Sequence, residues 1–142
     1  MANVVALLLS PRYPIDRGLG SLAAANTMFL VIPATRNNIA TWFLGLAFDH
    51  IILHHRFLGR VCISVSVLHF AMYAQRFVKQ YAETPYWTGA AALLCGLAIV
   101  ATTTNWMRRN HFNIFFWTHY TFFGFFAFGF IHVKQVSAAI IL

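Results

Sequence analysis

The chain has 142 residues, 60% of them hydrophobic and 17% aromatic, and only 9% are charged. A soluble domain carries about 25% charged residues, so this composition excludes a water-facing globular surface and implies an integral membrane protein. The formal charge of +7 comes from ten Lys and Arg against three acids. These basic residues are scattered between apolar stretches, which suits lipid headgroups and acidic cofactor groups and speaks against nucleic acid as a partner.

The first ten residues, MANVVALLLS, have an apolar centre but no basic flank or cleavage site, and read as the end of a preceding helix. Pro11 and Pro14 break the segment, and RYPIDRG reads as a loop. A first span is expected over residues 19–33, rich in small side chains, with Asn26 bonded to a neighbouring helix. The stretch from Thr35 to His50 mixes polar and apolar residues around Trp42, as an interfacial segment does. A second span follows over 51–73, and the polar stretch AQRFVKQYAETP closes it. The third span, 86–106, has Trp87 and Trp106 nineteen residues apart. That is about 28 Å along a helix, one aromatic anchor for each interface. A basic turn, MRRNHFN, leads to a fourth span over 112–133. The apolar run VSAAIIL then reads as a further helix, truncated, from about 136. The expected fold is all-α, a membrane bundle of four main spans with partial helices at the termini. Cys62 and Cys95 fall inside spans and read as small buried hydrophobes. Five arginines where the second and fourth spans begin face three to five basic residues at the opposite ends, so charge alone does not orient the chain.

Histidines inside apolar helices are costly and mark functional sites. HHRFLGRVCISVSVLHF (54–70) and HYTFFGFFAFGFIHVK (119–134) share one plan, a histidine at each end of an apolar run. His55 and His69 are fourteen residues apart. On a helix they lie within about 40° of one face and about 21 Å apart along the axis. The third span reverses the chain, so the second and fourth run parallel. His55 can then face His119 near one surface, and His69 can face His132 near the other. Each pair offers two axial nitrogens to one haem iron, and two haems across a bilayer make an electron path. His54, fifteen residues before His69, lies on roughly the same face and is the rival of His55, which is preferred. His50 and His111 fall at interfaces and read as solvated.

Gly59 and Gly129 lie near His55 and His132 on their helix faces. There they could admit a flat porphyrin or simply pack helices. Arg56 and Arg60 could pair with haem propionates or snorkel to headgroups. His119 and His132 are thirteen residues apart, about 140° out of phase on a regular helix. Either the fourth span is distorted, with Gly124 the natural point, or the two haems touch different flanks of it.

HHRFLGRVCISVSVLH resembles the H-R-W-L-G-R stretch of ferric reductases, with its second histidine fourteen residues on. VIPATRNN resembles the P-x-x-R-N-x segment that precedes it in ferric reductases and NADPH oxidases. NWMRRNHFNIFFWTHY is similar to their R-R-x-x-x-x-x-F-x-x-x-H entry into the second haem helix, and His132 keeps the thirteen-residue spacing. The resemblance covers about 18–134. It implies a multi-pass domain, expected in the plasma membrane, that carries electrons from a cytosolic flavin to the far side. It further implies two haem b groups, the inner held by His55 and His119 and the outer by His69 and His132. FAD and NADPH are then expected on a missing domain or on a partner reductase subunit, so the chain reads as a fragment or as a membrane subunit.

Ferric or cupric reduction at an extracytoplasmic acceptor is the leading expectation. Superoxide production from oxygen and quinol-linked electron transfer are the alternatives within redox chemistry. A haem-free proton conductor or a structural membrane subunit is the alternative outside it. The sequence has no Gly-rich phosphate loop. The purified 142-residue chain is therefore expected not to oxidise NADPH, and turnover without an added reductase would contradict this.

Overall fold

A chain this apolar must satisfy its backbone N–H and C=O groups internally, and every element among the described residues is helical. The computed structural model describes residues 15–31, 39–45, 47–80 and 84–141. The expectations for MANVVALLLS, for residues 32–38 and for residues 81–83 lie outside them. The helices are α1 (Ile15–Val31), α2 (Ile39–Leu44), α3 (Phe48–Gln80), α4 (Thr84–Thr102), α5 (Asn105–Asn110), α6 (Phe112–His119) and α7 (Phe122–Ile141). The stretches Phe48–Gln75 and Phe112–Ser137 are long and apolar enough to cross a membrane, and Tyr86–Thr102 is a shorter apolar helix. Two compact units, Met1–His69 and Phe70–Leu142, divide the chain within α3.

Several boundaries differ from those expected. Residues 15–18, expected in a loop, form the first turn of α1. In the interfacial stretch only Ile39–Leu44 forms a short helix. It ends on Gly45, whose φ of +62° is the left-handed conformation that glycine tolerates without strain. Residues 48–50 instead open α3, with Asp49 in the first turn where a carboxylate favours the helix dipole. Trp42 and Phe43 stand 86% and 81% exposed, which fits an aromatic segment at a membrane surface.

The third expected span is shorter than its sequence suggested. α4 stops at Thr102, and Trp106 belongs to the separate helix α5. The cause is a run of threonines. Thr102 and Thr103 hydroxyls donate back to the carbonyls of Ala98, Ile99 and Val100, and the Thr104 side chain accepts from Met107 N–H as the N-cap of α5. The two tryptophans therefore do not share one straight helix. At the other end of the chain α7 runs unbroken through Lys134 to Ile141, so no new helix begins at about 136. Lys134 stays exposed on its surface.

Within the first unit, α1 and α3 lie antiparallel. Cys62 is fully buried, with its sulfur 3.2 Å from Thr27 Oγ1 and within 3.7 Å of the Ala23 carbonyl. Asn26 does not reach across to another helix. Its amide donates to the Leu22 carbonyl one turn back, at 3.0 Å, a bond within its own helix. Within the second unit, α4 packs antiparallel along α7, and α6 packs on α4 and α5. Thr88 is fully buried and donates to Gln135 Oε1 at 3.2 Å. Cys95 faces Gly124, where an added Cβ would lie 3.0 Å from the sulfur. Both cysteines are free.

A Cβ added at Gly124 would approach the Cys95 sulfur more closely than ordinary van der Waals packing allows. Gly124→Ala should lower the thermal unfolding temperature in detergent, by an overpacking cost of about 1–3 kcal/mol. Cys95→Ala should restore part of that loss. A double-mutant cycle checks this, and additive effects would show that the two positions do not touch.

Candidate haem-ligand site

The four histidines sit on two helical stretches that apolar sequence builds and that small residues dock. α3 is continuous over its 33 residues, so the fourteen-residue spacing of His55 and His69 keeps its regular meaning of a shared face and a separation of about 21 Å. His55 is half-buried, and its Nδ1 lies 3.1 Å from the Leu30 carbonyl. Leu30 is in the last turn of α1, where carbonyls have no intrahelical donor. A carbonyl only accepts, so the imidazole donates through Nδ1–H, and its lone pair resides on Nε2. His54 is exposed, and its Nδ1 bonds the His50 carbonyl of its own helix at 2.8 Å. The same logic leaves Nε2 basic there too, so the tautomer does not separate the rivals. Burial and the contact with α1 do.

His69 lies against α1. A Cβ added at Gly20 would stand 3.0 Å from His69 Cε1, 3.3 Å from Nδ1 and 3.4 Å from Nε2. His132 repeats the arrangement in the second unit, where a Cβ at Gly89 on α4 would stand 2.9 Å from Cε1, 3.0 Å from Nδ1 and 3.4 Å from Nε2. In both, the edge of the ring carrying its two nitrogens rests on bare helix backbone. The sequence reading missed Gly20 and Gly89 as partners of histidine. Neither is near its histidine in the chain, and only the register between antiparallel helices joins them.

The glycines chosen on sequence grounds behave differently. A Cβ at Gly59 would meet only the Leu30 side chain at an ordinary 3.7 Å, and one at Gly129 would meet nothing within 4 Å. Arg56 and Arg60 are exposed on α3.

His119 is the last residue of α6, its ring flanked by Phe115 and Phe122 at centroid distances of 5.4 and 6.4 Å. Directly after it the helix breaks at Tyr120 and Thr121. There Tyr120 N–H bonds Trp117 O, Thr121 N–H bonds Thr118 O, and Phe123 N–H bonds Tyr120 O. These are tight three-residue turns, and the Thr121 hydroxyl donates to the same Thr118 carbonyl at 2.7 Å. Each such step winds the chain by about 20° more than an α-helical step, in the direction that reduces the phase error between His119 and His132. The distortion expected at Gly124 thus falls three residues earlier. The hydroxyl of Thr121 supplies the competing hydrogen bond that a glycine was expected to permit.

Among the described residues no group of three or more His, Cys, Asp or Glu side chains converges as a metal cage. A porphyrin needs only two protein ligands per iron, and half-buried imidazoles suit that need.

Comparison with known proteins places the sequence among membrane reductase components. The sequence pattern of the family described as "Ferric reductase like transmembrane component" matches residues 19–130. The chain is 31% identical over 111 residues to a probable ferric reductase transmembrane component of Eremothecium gossypii, covering 75% of this chain and 16% of that protein. It is 28% identical over 125 residues to ferric reduction oxidase 2 of Arabidopsis thaliana, covering 81% and 17%. It is also 32% identical over 106 residues to ferric reductase transmembrane component 3 of Saccharomyces cerevisiae, covering 71% and 15%. The chain thus matches less than a fifth of the length of these curated relatives. No solved structure matches it.

Removing the His55 donor should loosen the last turn of α1. In His55→Ala, amide exchange around residues 28–31 should accelerate about fivefold, the effect of losing one net hydrogen bond. His54→Ala should leave it unchanged. Hydrogen-exchange mass spectrometry of haem-free protein distinguishes the two, and equal acceleration would remove the preference for His55.

Proposed function

The chain belongs to the ferric reductase like transmembrane components, and we propose that it carries electrons across a membrane through two bis-histidine haems. It is an integral membrane oxidoreductase component by family. The observation that carries the finer reading is the housing of its histidines. Two of the four rest on glycines where any Cβ would intrude, and a third has its Nδ1–H committed to a backbone carbonyl. For His55 a bond at one nitrogen sets the tautomer and leaves the other nitrogen as donor to iron, and for His69 and His132 the glycine contact fixes where the ring lies.

His55 and His119 would hold one haem, and His69 and His132 the other. When bound, haem would supply a one-electron iron couple, and two imidazole ligands from this chain would favour electron transfer over oxygen binding. The surrounding apolar side chains would keep water from the ligands. The open space at Gly129 and the slack at Gly59 are where a porphyrin could approach the backbone. Arg56 and Arg60, exposed on α3, are placed to meet anionic groups such as propionates or lipid phosphates.

The proposed whole reaction is ferric reduction. Reducing equivalents would come from NADPH through a flavin on a reductase module at the cytosolic side, and each electron carried across would convert one extracytoplasmic Fe(III), the substrate, to Fe(II). The names of the relatives favour metal over oxygen as acceptor, since they are ferric reductases and ferric reduction oxidases. A plasma-membrane location is part of the same proposal.

Haem analysis of single and double variants tests the ligand set. His69→Ala and His132→Ala should each remove the same one of two haems, and the double variant should still keep one. His55→Ala and His119→Ala should remove the other. A His69/His132 double variant that loses both haems would overturn the pairing.

A further inference from the structure

We propose that Gly20 and Gly89 are positioning residues that aim the ligand imidazoles of one haem, a role that rests on the ligand set proposed above. Gly20 on α1 meets His69, and Gly89 on α4 meets His132. In each case the three ring atoms Cε1, Nδ1 and Nε2 lie within 3.4 Å of where a Cβ would be. Distances of 2.9 and 3.0 Å to Cε1 leave no room for a methyl group, so the ring or the helix must move. The ring moves first, because an imidazole turns on two soft torsions while the glycine sits in helix backbone. A methyl group here therefore acts on ligand direction and leaves the bundle standing.

The two contacts are independent, made by different helix pairs in different units. Yet they serve the two histidines assigned to the same haem. His55, assigned to the other, is held instead by its hydrogen bond to Leu30. The two haems would thus be positioned by different devices, one by glycine notches and the other at least partly by a carbonyl anchor. Glycine costs a helix about 1 kcal/mol relative to alanine in water, so alanine at either position should not weaken the helix itself.

The test uses the full chain loaded with haem, with Gly20→Ala and Gly89→Ala made singly. Each should weaken retention of one haem about tenfold and shift its midpoint potential and low-spin resonance signal. It should be the same haem in both variants, and the one that His69→Ala removes. The other haem and the thermal unfolding temperature should stay at or above wild-type values. Equal loss of both haems, or no selective change in either, would overturn the inference while the ligand set stands. A wild-type chain that takes up no haem would overturn it together with the proposed function. In haem-free protein, the His69 ring Cε1–H resonance should move only in Gly20→Ala, and that of His132 only in Gly89→Ala. Unmoved resonances would show that the notches do not seat the rings.

Discussion

An imidazole in an apolar helix must find something for both of its nitrogens, and much of this structure can be understood from that constraint. A buried polar group without a partner costs several kcal/mol in hydrocarbon, so a chain that keeps such histidines must gain something by them. Here one imidazole bonds an orphan carbonyl at a helix end, and two are laid on glycine backbone. The fourth closes a helix at a break. An imidazole whose position is fixed by the surrounding backbone is suited to ligate a metal. The bland reading of a satisfied core histidine explains any one of these positions more easily than it explains the set.

The docking of α1 on α3 and of α4 on α7 follows from the same constraint. Close approach brings imidazole edges onto backbone, and it requires small residues where the helices touch. Cys62 with Ala23 and Thr27 does this in the first unit, and Cys95 with Gly124 and Thr121 in the second. Membrane helices associate through such packing and through short polar contacts, because burying apolar surface gains little against lipid tails. Each cysteine thus acts as a small side chain that fits between helices.

The all-α class and the apolar stretches were legible in sequence because they depend on composition and on local spacing. The thirteen-residue spacing of His119 and His132 left two readings open, a distorted helix or different flanks, since a regular helix sets them on different faces, and the helix is in fact broken between them. The location of the break was not legible. Gly124 was the conspicuous breaker, but the backbone yields at Tyr120 and Thr121, where a hydroxyl competes for a carbonyl. The end of α4 was misjudged for the same reason, as Thr102, Thr103 and Thr104 turn the chain before Trp106. Threonine reads as neutral in a hydropathy profile, and its hydrogen bonding decides the outcome only once neighbouring carbonyls are in place. Gly20 and Gly89 were hidden more deeply, because helix-to-helix register leaves no periodic trace within either helix.

The central claim is that this chain itself holds two low-spin haems between histidines. The most direct measurement is haem per chain in the purified protein, combined with the reduced-minus-oxidised optical spectrum and its response to carbon monoxide. Two haems per chain, with sharp reduced α-bands and no carbon monoxide shift, are expected, because both axial positions of each iron are filled. A chain without haem, or with one haem that binds carbon monoxide, would contradict it.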